Sequence, residues 1–142
     1  MPFEEKYTWV LGILAVVTYP VYLAIMIPRL ASAPVGEVEY VDAMLWTIGG
    51  SIVASILLTI IVGIFSIKTV GKKDVRDRDI HRHGEYVGHG FVVAGALGAM
   101  IMAWLKLDYF WIANVIHVSF YLSAILGAIV KVIGYRSGLP RW

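Results

Sequence analysis

The chain contains no cysteine, which excludes disulfide staples, thiolate zinc sites and thiol redox chemistry. Charge is scarce as well: 15% of its 142 residues are Asp, Glu, Lys or Arg and 59% are hydrophobic, where soluble domains run at about 25% charged. Mean hydropathy is +0.77, so a membrane protein is expected before any segment is inspected. No acidic or basic residue falls inside the long apolar stretches, which argues against a proton pump or a carrier of charged substrates. No nucleophile stands beside a base in them either, so no catalytic residue is assigned and a non-enzymatic protein is expected. No DNA-binding motif is present, and the basic residues are accounted for below by membrane orientation, so no direct nucleic-acid binding is expected.

What is present is uninterrupted hydrocarbon. Tyr7–Ile27, Ala43–Ile67, Tyr86–Leu105 and Tyr109–Val130 are free of charge, and each holds about 20 residues or more, enough to cross a hydrocarbon core of roughly 30 Å. The expected fold is all-α: a polytopic four-transmembrane-helix bundle in one domain, 1–142. Its spans are near 7–27, 43–67, 86–105 and 109–133, with a charged segment at 68–85. Ala31-Ser32-Ala33 looks like a signal-peptidase site, but the preceding run is too long and follows Glu4 and Glu5 with a single Lys6, so the first span reads as retained. Of twelve Lys and Arg, only Arg29 and Lys106 lie on the side opposite the termini and middle loop. That bias predicts cytoplasmic termini in a prokaryotic plasma (inner) membrane. Arg141 and Trp142 suit the cytoplasmic headgroup zone.

Several local features position helices. Pro20 predicts a kink in the first span, which is expected to end before Pro28. Thr47, Ser51, Ser55 and Thr59, four residues apart, share a face of the second, and Gly71 is a stop for its extension. The third span carries Gly84 and Gly88 on one side and Gly90, Ala94 and Gly98 on another. Such small-residue faces are packing seams in lipid and predict a homo-oligomer through this helix. Echoes of "EEKY" in "HGEY" and of "VDAMLW" in "LDYFW" suggest two tandem hairpins.

Polar information concentrates in "DVRDRDIHRHGEYVGHG", residues 74–90, which holds three of the four histidines. Asp74 is a predicted N-cap with Asp77 three residues on. Asp74–Arg78, Asp77–His81, Asp79–His83 and His81–Glu85 are four apart and predict an ion-paired ladder. A divalent metal is the sharper reading, with His81, Glu85 and His89 as ligands. His81 and His89 are about 12 Å apart along the axis, so one ion takes His81 with Glu85 or Glu85 with His89, completed from elsewhere. A haem between His89 and His117 is excluded within a protomer, because their depths differ by about 12 Å. In the fourth span Asn114, His117 and Tyr121 form a polar patch, read either as interhelical glue or as a functional site.

Asp74, Arg76, Asp77, Arg78, Ile80, Gly84 and Glu85 resemble the DERD-x-x-I-x-x-x-G-D/E signature of the small prokaryotic membrane proteins of the DUF2178 type, with Val75 where that signature has Glu. The tail "WIANVI…LSAILGAIVKVIGYRSGLP" is similar to the last helix of four-helix proteins that carry it, so the likeness covers Asp74 to Pro140. The resemblance implies a four-helix integral membrane protein with no assigned activity and a cytoplasmic protein partner. The leading expectation is therefore a regulatory or accessory membrane protein that acts through Asp74, Arg76, Asp77, Arg78 and Arg82. The alternative is a small channel or transporter using Thr47–Thr59 with Asn114, His117 and Tyr121.

Overall fold

A computed structural model of the chain, described over residues 1–138, contains four long helices: α1 (Phe3–Ser32), α2 (Val41–Ile64), α3 (Val75–Trp104) and α4 (Tyr109–Ser137), with a short 3-10 turn at Val35–Glu37. Each of the four is long and apolar enough to span a membrane, so the architecture is that of an all-α, multi-pass membrane protein. Arg141 and Trp142, expected in the headgroup zone, lie outside the described residues.

The ends of these helices follow local chemistry. Asp74 caps α3 by accepting from the Asp77 N–H at 2.7 Å, while the Asp77 carboxylate accepts from the Asp74 N–H at 3.2 Å, the reciprocal arrangement that satisfies two orphan donors. Asp108 caps α4 by accepting from the Phe110 N–H at 3.0 Å. The intervening turn is tight because Lys106 takes a left-handed φ of 55°. Helix α2 gives way to hydrogen-bonded turns after Ile64, and the left-handed φ of Gly71, 76°, ends them. Contrary to expectation, α1 runs through Pro28 to Ser32. Its last turn is held from outside, since the Arg29 guanidinium donates to both Asp42 carboxylate oxygens and to the Glu39 carbonyl. This pair lies beyond the apolar stretches, and the guanidinium holds the Asp42 carboxyl below its ordinary range.

Packing is uneven. Helix α1 lies against α2 and α4, and α4 lies against α3; no comparable interface joins α2 to α3. Two tandem hairpins related by symmetry would match the α1–α4 contact with an α2–α3 contact, so that expectation does not describe this packing. The α3–α4 seam is built on glycine. A Cβ on Gly88 would come within 2.9 Å of the Ser123 carbonyl oxygen, and one on Gly84 within 2.9 Å of the Gly127 carbonyl oxygen. Ile80, Gly84, Gly88, Gly95 and Ala99 are the buried positions of α3. Gly90, by contrast, has nothing within 4 Å of where its Cβ would sit. The small-residue faces therefore divide: Gly84 and Gly88 are used inside the chain, and Gly90 and Ala94 point outward.

Exposed aromatics mark two levels. Trp46, Trp104 and Tyr109 stand out at the end that holds Arg29, and Tyr86 stands out toward the other. Tyr86 and Trp104 are 18 positions apart on α3, about 27 Å. That matches the roughly 30 Å between the interfaces of a bilayer, where Tyr and Trp collect. The N-terminus, residues 66–85 and the end of α4 meet at the Tyr86 end: Lys6 donates to Ser66, Lys73 pairs with Glu4 and Arg136 with Glu5.

Candidate functional site

The charged segment 74–85 is spent largely on the protein's own framework. Asp74 and Asp77 form the cap. Arg76 donates to the carbonyls of Gly134 and Tyr135 at 3.4 and 3.1 Å, so it serves the end of α4, where helix carbonyls lack intrahelical donors. Glu85 pairs with Lys131 across the α3–α4 interface, and the ammonium holds the Glu85 carboxyl below its ordinary range. Among the described residues none of the expected four-apart ion pairs forms at salt-bridge distance. Partners from α1 and α4 replace them. Arg78, Asp79, His81 and Arg82 remain exposed.

His81 and His89 are also exposed, and the carboxylate common to both metal pairs is the one that Lys131 holds. No group of three or more metal-ligating side chains comes together among the described residues.

The polar patch of α4 is different. His117 is 3% exposed and sits between α1 and α4. Tyr22 meets its ring edge-on at 4.5 Å between centroids, Tyr121 at 5.0 Å, and Tyr19 tilts over it at 5.8 Å. The Tyr22 hydroxyl donates to the Asn114 Oδ1, and the Asn114 Nδ2 donates to the Phe110 carbonyl at 2.8 Å. One side of the cage is thus hydrogen-bonded within the protein. On the other side, both ring nitrogens of His117 and the hydroxyl of Tyr121 are buried with no hydrogen bond formed among the described residues. Thr47 and Ser51 of α2 lie beside Tyr121; their hydroxyls donate to their own helix, Thr47 to the Ala43 carbonyl at 2.9 Å and Ser51 to the Ile48 carbonyl at 2.8 Å, and their oxygens keep lone pairs toward which the Tyr121 hydroxyl can turn.

His117 and Tyr121 form the polar floor of a groove of about 450 Å³, within the range of roughly 300–1,000 Å³ typical of small-molecule sites. Leu11, Leu14 and Ala15 of α1 form one wall, and Ile48, Ser51, Ile52 and Ser55 of α2 form the other. Phe120 and Ala124 continue its floor along α4. The structure therefore brings together Thr47, Ser51 and Tyr121, with Ser55, His117 and Asn114 close by; Thr59 lies farther along α2, outside the groove. The sequence reading missed Tyr19 and Tyr22. Their signal was two phenols three residues apart in an apolar span, and therefore on one helical face.

No protein-family model, curated protein or solved structure matches the chain.

Proposed function

We propose that this is a non-enzymatic membrane protein that binds a lipid-soluble small molecule through a carbonyl or hydroxyl head, held by His117 and Tyr121 in the groove between α1, α2 and α4. The observation that carries the reading is the pair of buried, unpartnered ring nitrogens of His117, with the Tyr121 hydroxyl beside them on the groove floor. Leaving such an atom unpaired costs about 1–3 kcal/mol, and buried polar groups in native proteins are nearly always bonded. A neutral imidazole offers one donor and one acceptor, and a phenol offers both. A carbonyl oxygen accepting from the His117 N–H and the Tyr121 hydroxyl would partner two of these atoms, and a hydroxyl head could also donate to the other ring nitrogen. Apart from Ser51 and Ser55, whose hydroxyls donate to their own helix, the groove walls are aliphatic, which suits a hydrocarbon body entering sideways from the bilayer and supports a binding site or a carrier over an open ion pore.

The test is titration of detergent-solubilised protein with an alkyl benzoquinone, a long-chain alcohol and the matching alkane, read by intrinsic fluorescence. Head-bearing molecules should bind and the alkane should not. Tyr121→Phe, which removes one hydroxyl, should weaken binding roughly tenfold. Equal binding of alkane and alcohol, or no change in the variant, would reject the site.

The orientation belongs to the same reading. The N-terminus, residues 66–85 and the end of α4 meet at one end of the structure, and the termini and residues 66–85 carry nearly all the Lys and Arg of the sequence, which supports their placement on the cytoplasmic side of a prokaryotic inner membrane. Because the chain has no cysteine, single cysteines at Ser32, Lys72 and Ser137 report orientation without background. An impermeant thiol reagent added to intact cells should label only the first. Labelling at Lys72→Cys would reverse the orientation.

A further inference from the structure

A second cavity opens at the other end of the same helix pair, about 240 Å³ in volume and set among α1, α3 and α4. Its mouth holds Lys131 and Glu85, and its inner lining turns apolar at Leu11, Phe120 and Ala124. From this geometry we infer that the cavity seats the headgroup of an aminophospholipid, a lipid with a phosphate and a primary ammonium, from the leaflet on the side of the termini. The cavity shares Leu11, Phe120 and Ala124 with the groove but contains neither His117 nor Tyr121, so the inference does not rest on the His117 reading.

Three observations lead there. The first is depth. Lys131 is the first charge after the uncharged stretch 109–130, and Glu85 the last before the uncharged stretch 86–105. Both therefore stand where hydrocarbon gives way to headgroups. The second is the polarity gradient within the cavity, charged at the boundary and apolar toward the bilayer centre, which is the gradient of a lipid itself. The third is how the ion pair is held. Gly84 lacks the Cβ that would come within 2.5 Å of Lys131 Cγ and 2.7 Å of its Cε, so the lysine stem crosses α3 there. The lysine side chain is only 12% exposed, whereas that of Glu85 is 63% exposed. One partner is fixed under the cavity rim and the other is free to turn.

A phosphate accepting from Lys131 Nζ and a primary ammonium donating to the Glu85 carboxylate would replace one ion pair by two of matching sign. A phosphocholine has no N–H to give to Glu85. A phosphoglycerol has no positive charge, and Glu85 repels it. The chemistry thus selects among headgroups rather than merely tolerating lipid.

The experiment is native mass spectrometry of the full chain, released from detergent with phosphatidylethanolamine, phosphatidylcholine or phosphatidylglycerol of identical acyl chains. Retention of phosphatidylethanolamine should exceed that of either other lipid by roughly tenfold, the worth of one charge-assisted hydrogen bond. Glu85→Gln should erase the preference while some retention persists. Lys131→Met, which keeps the stem over Gly84, should reduce retention of all three, and Lys131→Arg should restore it. Equal retention of the three lipids by the wild type, a preference for phosphatidylglycerol, or a preference unchanged in Glu85→Gln would each overturn the assignment. If Lys131→Met does not fold, the Glu85→Gln comparison decides alone.

Discussion

Gly95→Leu should abolish the folded state in mild detergent, seen as loss of the monodisperse peak on size exclusion, whereas Gly90→Leu, five residues away on the same helix, should leave that peak in place. Gly95 is buried against α4, and even a Cβ there would overlap the Oγ and Cβ of Ser119. Ser119 is buried too, and its hydroxyl is committed to the Val115 carbonyl at 2.6 Å, so it has nowhere to turn. Overpacking costs about 1–3 kcal/mol, occasionally more, and leucine adds three further carbons beyond the Cβ. Lipid provides no hydrophobic drive to hold α3 on α4, and close backbone approach is what does so. Alanine gives the finer test. At Gly90, in open space, it should gain up to about 1 kcal/mol of helix propensity; at Gly95 it should lose stability. Combining Gly95→Ala with Ser119→Gly should recover most of the loss, because the two residues compete for one volume. Full stability of Gly95→Leu would mean that α3 does not pack on α4 through this face. A Gly90→Leu protein that stays folded but loses assembly mass would assign the outward Gly90 and Ala94 face to a contact between copies.

That contrast also shows how far the sequence can be read. The four spans were legible because the absence of charge over about 20 residues is a one-dimensional property that solvation alone enforces. The Asp74 cap was legible because its partner is three residues away. Which glycines form the seam was not legible: Gly90, Ala94 and Gly98 repeat as cleanly as Gly84 and Gly88, and the choice depends on the rotation of α3 about its own axis. The buried set runs 80, 84, 88, 95 and 99, a spacing that follows the facing helix rather than a strict four-residue repeat. The pairing of Glu85 was misread for a related reason. Partners four apart on one exposed helix contribute only a few tenths of a kcal/mol, so Lys131, fixed on the neighbouring helix, displaces His81. At the candidate site, the polar faces of α2 and α4 were visible as patterns. Tyr22, by contrast, binds Asn114 across 92 positions, and only the α1–α4 packing determines that meeting.

The clearest separation between a binding site and simple interhelical glue lies in the stability of the empty protein. His117→Phe should raise it by about 1–3 kcal/mol in the absence of ligand, the range set by burying an unpaired polar group. Phenylalanine keeps a ring edge against Tyr22 and Tyr121 and removes both unpartnered nitrogens; its extra volume has the adjoining groove of about 450 Å³ to enter. In a thermal melt the gain should appear as about 3 °C or more per kcal/mol for a chain of this size. Ligand should then reverse the order. A molecule that binds only the folded wild type at 100 times its Kd adds about 2.7 kcal/mol. It should add far less to a variant that cannot hydrogen-bond its head, so the two melting curves should draw together or cross as alkyl benzoquinone is titrated in. This is the trade expected where a protein keeps a destabilising group for what it binds. If His117 were glue, its removal would break satisfied bonds, and His117→Phe would melt lower than the wild type at every ligand concentration. A variant that is less stable without ligand would therefore sink the reading of His117 as the head-binding residue.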